Sequence, residues 1–158
     1  MTKHTLAVVA VAFMCSVAVG QAHVTRIEVL KVEPVPAVQA EAVPAYERIS
    51  GRFYGELDPR DPKNALITDI QLARKNARGL VEYVGTFSLM KPADMSKASG
   101  VLMYSVVNRG NGRASASAEG HVSLVSGWQG DVIPSDTNQT IQVPRAKNPT
   151  GAASRDRS

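Results

Sequence analysis

The chain is poor in several of the residues on which function is commonly built. It has one cysteine in 158 residues, which excludes a disulfide framework and a four-cysteine zinc site. Three histidines and no HExxH pattern leave little for a zinc hydrolase. Aromatic residues make up 5%, too few for a platform on which bases stack. A G-x-S-x-G elbow, which exposes a serine nucleophile on a tight strand-to-helix turn, is missing. No internal repeat or heptad is present. Charged residues are 20% and apolar residues 44%, which excludes a wholly disordered chain and fits one domain or part of a larger one.

The formal charge of +4 is unevenly placed. Arg145, Lys147, Arg155 and Arg157 against Asp156 leave residues 145–158 with a net +3, and Lys3 supplies the rest. Residues 23–144 hold 13 basic and 13 acidic side chains, so the basic character belongs to a tail. Phosphate neutralisation needs a clustered basic surface, so nucleic acid is not expected as a partner. Residues 145–158 read as a basic, disordered tail.

Residues 1–22 read as a cleavable signal peptide. Lys3 precedes an uncharged apolar run, Leu6 to Val19, and Gly20-Gln21-Ala22 offers small residues for cleavage after Ala22 or Gly20. The run is shorter than the ~20 residues that span a bilayer, which disfavours a permanent anchor. Cys15 follows Met14 rather than a small residue, so a lipoprotein is not indicated. The expected location is periplasmic or secreted, with membrane contact through the signal segment alone. Removing it also removes the cysteine, as suits an oxidising compartment.

The mature chain reads as β-rich. Thr25 to Val32 predicts a strand, and the prolines of Glu33 to Pro44 predict an extended connector, so 23–44 is a connector with one strand. Tyr46 to Leu57 predicts a second strand, with a bulge at Gly51 or Gly55. Asp58 to Asn64 is a turn cluster. Leu80 to Met90 places Val81, Tyr83, Gly85, Phe87 and Leu89 on one face. Val101 to Val107 and His121 to Ser126 are continuous apolar runs, the pattern of strands buried on both faces of a parallel or central sheet. One helical turn is expected at Ala114 to Glu119 and a short strand at Thr140 to Val143. Residues 45–144 thus read as a β-rich region leading into an α/β sheet.

Three motifs bear on chemistry. Gly110-Asn111-Gly112-Arg113-Ala114-Ser115 approximates a dinucleotide fingerprint, but Ser115 stands where the third glycine belongs, and too few residues remain for the helix. No cofactor is therefore expected. His121 and Asp131 lack a serine in an elbow, so no catalytic residue is assigned, and His121 reads as a strand-start residue. Gly127-Trp128-Gln129-Gly130-Asp131 follows a strand, where ligands collect in open α/β sheets, although a structural turn with Trp128 in the core is the simpler reading. Asn138-Gln139-Thr140 fits an N-glycosylation site, of consequence only in a eukaryotic secretory route.

Tyr46 to Pro59, Asn64 to Asp69, Asn76 to Tyr83, Val106 to Asn111 and Ser126 to Val132 together resemble the N-terminal region of large bacterial secreted proteins with an alpha/beta hydrolase domain. Gln142-Val143-Pro144 and Lys147-Asn148-Pro149 extend the similarity over most of residues 25–150. Members of that family are several times longer. The resemblance implies a partial, truncated α/β-hydrolase-like sheet behind a β-rich N-terminal region, and an ancestry in carboxylic-ester or acyl hydrolysis. It implies that Asn108, Arg109 and Gly110 occupy an oxyanion loop. Trp128, Gln129 and Asp131 would line a pocket for a small ester or acyl substrate of the full-length relative. The elbow, the acid and the catalytic histidine would lie downstream, so this chain alone is expected to be inactive. The alternative is a small exported β-rich binding or structural module.

Overall fold

A computed structural model describes residues 23–36, 44–135 and 137–145. The expected signal peptide, most of the proline-rich connector and nearly all of the basic tail lie outside them. Six strands form one sheet: β1 (His23–Val35), β2 (Tyr46–Leu57), β3 (Val81–Pro92), β4 (Leu102–Val106), β5 (Val122–Ser126) and β6 (Ile141–Gln142). The order is β1-β2-β3-β5-β4, with β6 pairing β3 beside β5. β1, β2 and β3 form a long antiparallel meander, and β4 and β5 are a parallel pair.

The expected partial α/β-hydrolase-like sheet is not what forms. Among the described residues there is no α-helix, only three-residue 3₁₀ turns at Pro62–Asn64, Ile70–Leu72 and Met95–Lys97. The reason lies in the connections. Parallel strands need a crossover of a dozen or more residues, usually helical. Between β4 and β5 that segment carries Gly110, Gly112 and Gly120, and two of these hold positive φ. Ala114 to Glu119 forms coil where a helical turn was expected. Nor is the Val101 to Val107 run buried on both faces. β4 is an exposed edge strand, while β5 sits between β3 and β4.

Local chemistry explains the turns. Asp61 caps the first 3₁₀ turn by accepting from the Lys63 N–H, and Asp94 caps the third by accepting from the Ser96 N–H. Asn76 Oδ1 accepts from the N–H groups of Arg78 and Leu80, closing the turn into β3. Gly51 and Gly55 each stand opposite a bulge, as expected, with the extra residue in β1, at Val24/Arg26 and Val29/Lys31. The β2 glycines also make room for rings across the strand: Gly51 faces Phe87, Gly55 faces Tyr83, and Gly85 of β3 faces Phe53. A Cβ at any of the three would run into the opposite ring.

The core is small and lies on one face near the start of β2. It comprises Tyr46, Met90, Val107, Ala114 and Val125, with Val35 packed against it. The β4–β5 connection covers this region. The Tyr46 hydroxyl fastens it, lying 3.0 Å from the carbonyls of both Ser117 and His121.

Candidate functional site

The parallel pair directs two loops to one end of the sheet. Residues 107–112 leave β4 and residues 127–132 leave β5. The Thr86 carbonyl accepts from the Gly127 N–H, and the Thr86 N–H donates to Thr140 O, so β3 anchors the loop after β5 against the chain entering β6. Thr140 Oγ1 lies 3.3 Å from Gln129 O and 3.2 Å from Val132 O, holding the second loop from beneath. In the first loop Arg109 has φ 50° and Gly110 φ 71°. The Gly110 carbonyl accepts from the Gln139 N–H, and a Cβ on Gly110 would strike Val132 and Gln139, so only glycine fits here.

The six residues singled out from sequence come together. The Trp128 indole N–H donates to Val107 O at 2.6 Å, and the Arg109 backbone N–H donates to Gln129 Oε1 at 2.6 Å. The Arg109 guanidinium pairs with the Asp131 carboxylate. This holds the Asp131 carboxyl below its usual range, by the direct hydrogen bond first and by the cation's charge second. Asn108 bridges to Asn111, and Asn111 to Asn138. Val107, Gly110 and Val132 are buried, while Asn108, Arg109, Trp128 and Asp131 face solvent. Trp128 is 53% exposed, so it is not a core side chain. With its backbone N–H engaged by Gln129, Arg109 contributes no free donor from that atom. The cluster is a latch between two loops, and its exposed components are an indole face and an ion pair.

One pairing was not legible in the sequence. Ser99 Oγ lies 2.7 Å from His121 Nδ1 and accepts from the Val101 N–H at 3.2 Å. The two side chains lie 22 residues apart, and only the parallel pairing of β4 and β5 brings their strand starts together. Nearby, Glu119 accepts from Ser117 Oγ at 2.8 Å, and this hydrogen bond is the main cause of its lowered carboxyl pKa. No cluster of three or more histidine, cysteine, aspartate or glutamate side chains is placed to hold a metal among the described residues.

The largest chemical contrast is between the two faces of the sheet. The cross-strand register puts Val24, Ile27, Val29 and Val32 of β1 on the face that also carries Ile49 and Phe53 of β2. Phe87 and Leu89 of β3, Leu124 of β5 and Tyr104 of β4 continue it. Val24, Ile27, Val29, Val32, Leu102, Tyr104 and Val106 are each more than half exposed there. Among the described strand residues only Glu47 and Lys91 bring charge to this face, at its rim, and they pair with each other at 2.7 Å. The charged residues of β1 point the other way. Arg26 lies over the Tyr54 ring at 3.6 Å, and Glu28 accepts from the Tyr54 hydroxyl at 2.6 Å, which lowers the Glu28 carboxyl pKa. Toward the first 3₁₀ turns the apolar face runs into a groove of about 540 Å³ lined by Leu57, Ile70, Val81, Tyr83, Ile141 and Val143. Partial burial in this region raises the Tyr83 pKa.

Comparison with family models, with curated proteins and with solved structures finds no match. Among the described residues no helix is long and apolar enough to cross a membrane.

Proposed function

We propose that this chain is an exported β-rich binding module that works through the apolar face of its sheet. One observation carries the reading: five strands converge their apolar side chains on a face whose only charges among the described strand residues are a mutually paired couple at the rim. Antiparallel sheets ordinarily solvate their polar face and cover their apolar one. Here the chain covers the Tyr46–Met90 corner of the mostly polar face and leaves the apolar one open. Contiguous apolar surface of this extent marks interaction sites. A hydrophobic fluorescent dye tests the reading at protein concentrations too low for self-association. The wild type should bind the dye, and the double variant Ile27→Lys/Tyr104→Lys should not, with far-UV circular dichroism unchanged. Equal dye binding by both proteins would defeat the assignment of this face.

A second reading keeps the resemblance to secreted hydrolase-domain proteins. It is favoured by the two loops that meet beyond the carboxyl ends of the parallel β4–β5 pair and leave the Trp128 indole exposed. On that reading the module precedes catalytic machinery, and acyl hydrolysis belongs to the longer protein. Neither reading gives this chain a catalytic serine, because Ser99 and His121 lack the elbow and the orienting carboxylate that activation requires. A fluorophosphonate probe should leave the chain unlabelled, with no turnover of p-nitrophenyl esters. Labelling at Ser99, lost in Ser99→Ala, would contradict both.

A further inference from the structure

The open face needs an occupant, and the geometry points to a second copy of the same chain. We propose that two protomers pack apolar face against apolar face about a two-fold axis, forming a β-sandwich. This inference rests on the binding-module reading and names its partner.

Three observations select this occupant. The first is size. Seven half-exposed side chains, Val24, Ile27, Val29, Val32, Leu102, Tyr104 and Val106, spread over β1 and β4 at the two flanks of the sheet. Ile49, Phe53, Phe87, Leu89 and Leu124 lie between them and are partly exposed. Together these expose on the order of 800 Å², which is about what each partner buries in a standard stable interface. The second is self-complementarity. A two-fold contact sets a surface against itself, so any unpaired charge near the axis would meet its like. This face carries none, and its Glu47–Lys91 couple sits at the rim, where each charge is already neutralised. Two such sheets stack about 10 Å apart with their inner side chains interdigitated. The third is the state of the edge. β1 is a long edge strand, the usual template for adding another chain side by side. Its two irregularities, at Val24/Arg26 and Val29/Lys31, break the regular ladder that such an addition needs. Side-by-side addition is therefore disfavoured at the β1 edge.

Two of the segments outside the described residues do not supply a better cover. Residues 146–158 have four charged side chains and no residue larger than valine among their apolar ones. The apolar run Leu6 to Val19 leaves with the signal peptide under the export reading.

The test is sedimentation velocity of the exported protein from nanomolar to high micromolar concentration. The wild type should pass from monomer to dimer. Arg52→Gln, on the opposite face, should behave the same. Ile27→Lys/Tyr104→Lys should raise the dimer dissociation constant by at least ~100-fold, since each lysine would be buried unpaired against its symmetry mate. Should that variant fail to fold, Val106→Lys on the exposed edge strand repeats the test. A dimer untouched by both face variants would overturn the proposal. So would a protein monomeric at every concentration. In that second case the dye experiment separates the two ideas: a monomer that binds dye through this face keeps the binding module and loses only the second copy, while a monomer that binds no dye loses both.

Discussion

Replacing Tyr46 by phenylalanine removes one oxygen atom from a fully buried side chain of the core. Tyr46 is 1% exposed, and its hydroxyl lies 3.0 Å from Ser117 O and 3.0 Å from His121 O. These contacts join β2 to a segment 71 and 75 residues later in the chain. The hydroxyl has one proton to share between two carbonyls. The phenylalanine ring fills the same place against Met90, Val107, Ala114 and Val125, so no side-chain cavity of consequence forms. The loss is therefore that of a shared hydrogen bond, with two part-buried carbonyls left without it, about 1–3 kcal/mol. In a domain of this size about 2 kcal/mol corresponds to a fall of roughly 4–8 °C in Tm. Urea unfolding should show a lower midpoint at an unchanged slope, because the surface exposed on unfolding hardly changes. Amide exchange should accelerate mainly in the β4–β5 connection that Tyr46 fastens. Tyr46→Ala, which also empties the ring site, should cost about 3–5 kcal/mol. A Tyr46→Phe protein as stable as the wild type would refute the fastening. A loss as large as that of Tyr46→Ala would show that the ring packing, too, is wrongly described.

Two further outcomes are expected. Gly85→Ala places a Cβ against the Phe53 ring, which can shift, and should cost about 1–3 kcal/mol by denaturant unfolding. Gly51→Ala should cost more, because its Cβ meets the Glu28 backbone carbonyl as well as the Phe87 ring, and the reverse order would contradict the pairing register. In the loop latch, Arg109→Gln should move the Asp131 carboxyl pKa up toward its ordinary value of 3.8, as read by NMR titration. Because the folded-state pKa is depressed, the pair contributes stability above the unfolded-state value, and this contribution is lost as pH falls through the folded-state value. The variant should therefore lose the corresponding acid dependence, and an unmoved Asp131 titration would count against the ion pair.

The long antiparallel strands were legible because their alternation is local. Val81, Tyr83, Gly85, Phe87 and Leu89 do share a face, and β2 spans the residues expected of it. The β4 run misled for a physical reason. A continuous apolar segment signals burial on both faces, but it says nothing about whether the rest of the sheet arrives to cover it. Glycine within a strand marks a bulge or the close approach of another group, and at Gly51 and Gly55 the register shows both: a β1 bulge opposite and the Phe87 or Tyr83 ring across. At the candidate site, the loops after the two apolar runs were singled out by the family resemblance, with the strand-end rule in support only for the loop after the second run. The contacts of Arg109 with Gln129 and Asp131, and of Ser99 with His121, depend on long-range strand pairing that no local pattern encodes. The apolar face was visible only in part: the stripe of β3 is local, but its continuation across five strands with the charges turned away follows from the register alone.

Thiol reactivity tests most directly whether the apolar face lies outside the protomer's core. Ile27→Cys, Val29→Cys and Met90→Cys are each made in the chain from residue 23 onward, which holds no other cysteine, and are labelled with a maleimide dye at nanomolar concentration. The prediction is fast labelling at positions 27 and 29, near the rate of the unfolded chain, and strong protection at position 90, which is 1% exposed in the wild type. Raising the protein concentration should slow labelling at 27 and 29 and leave 90 unchanged. Protection at positions 27 and 29 as strong as at 90, independent of concentration, would mean that the protomer itself covers this face, and the account would fail.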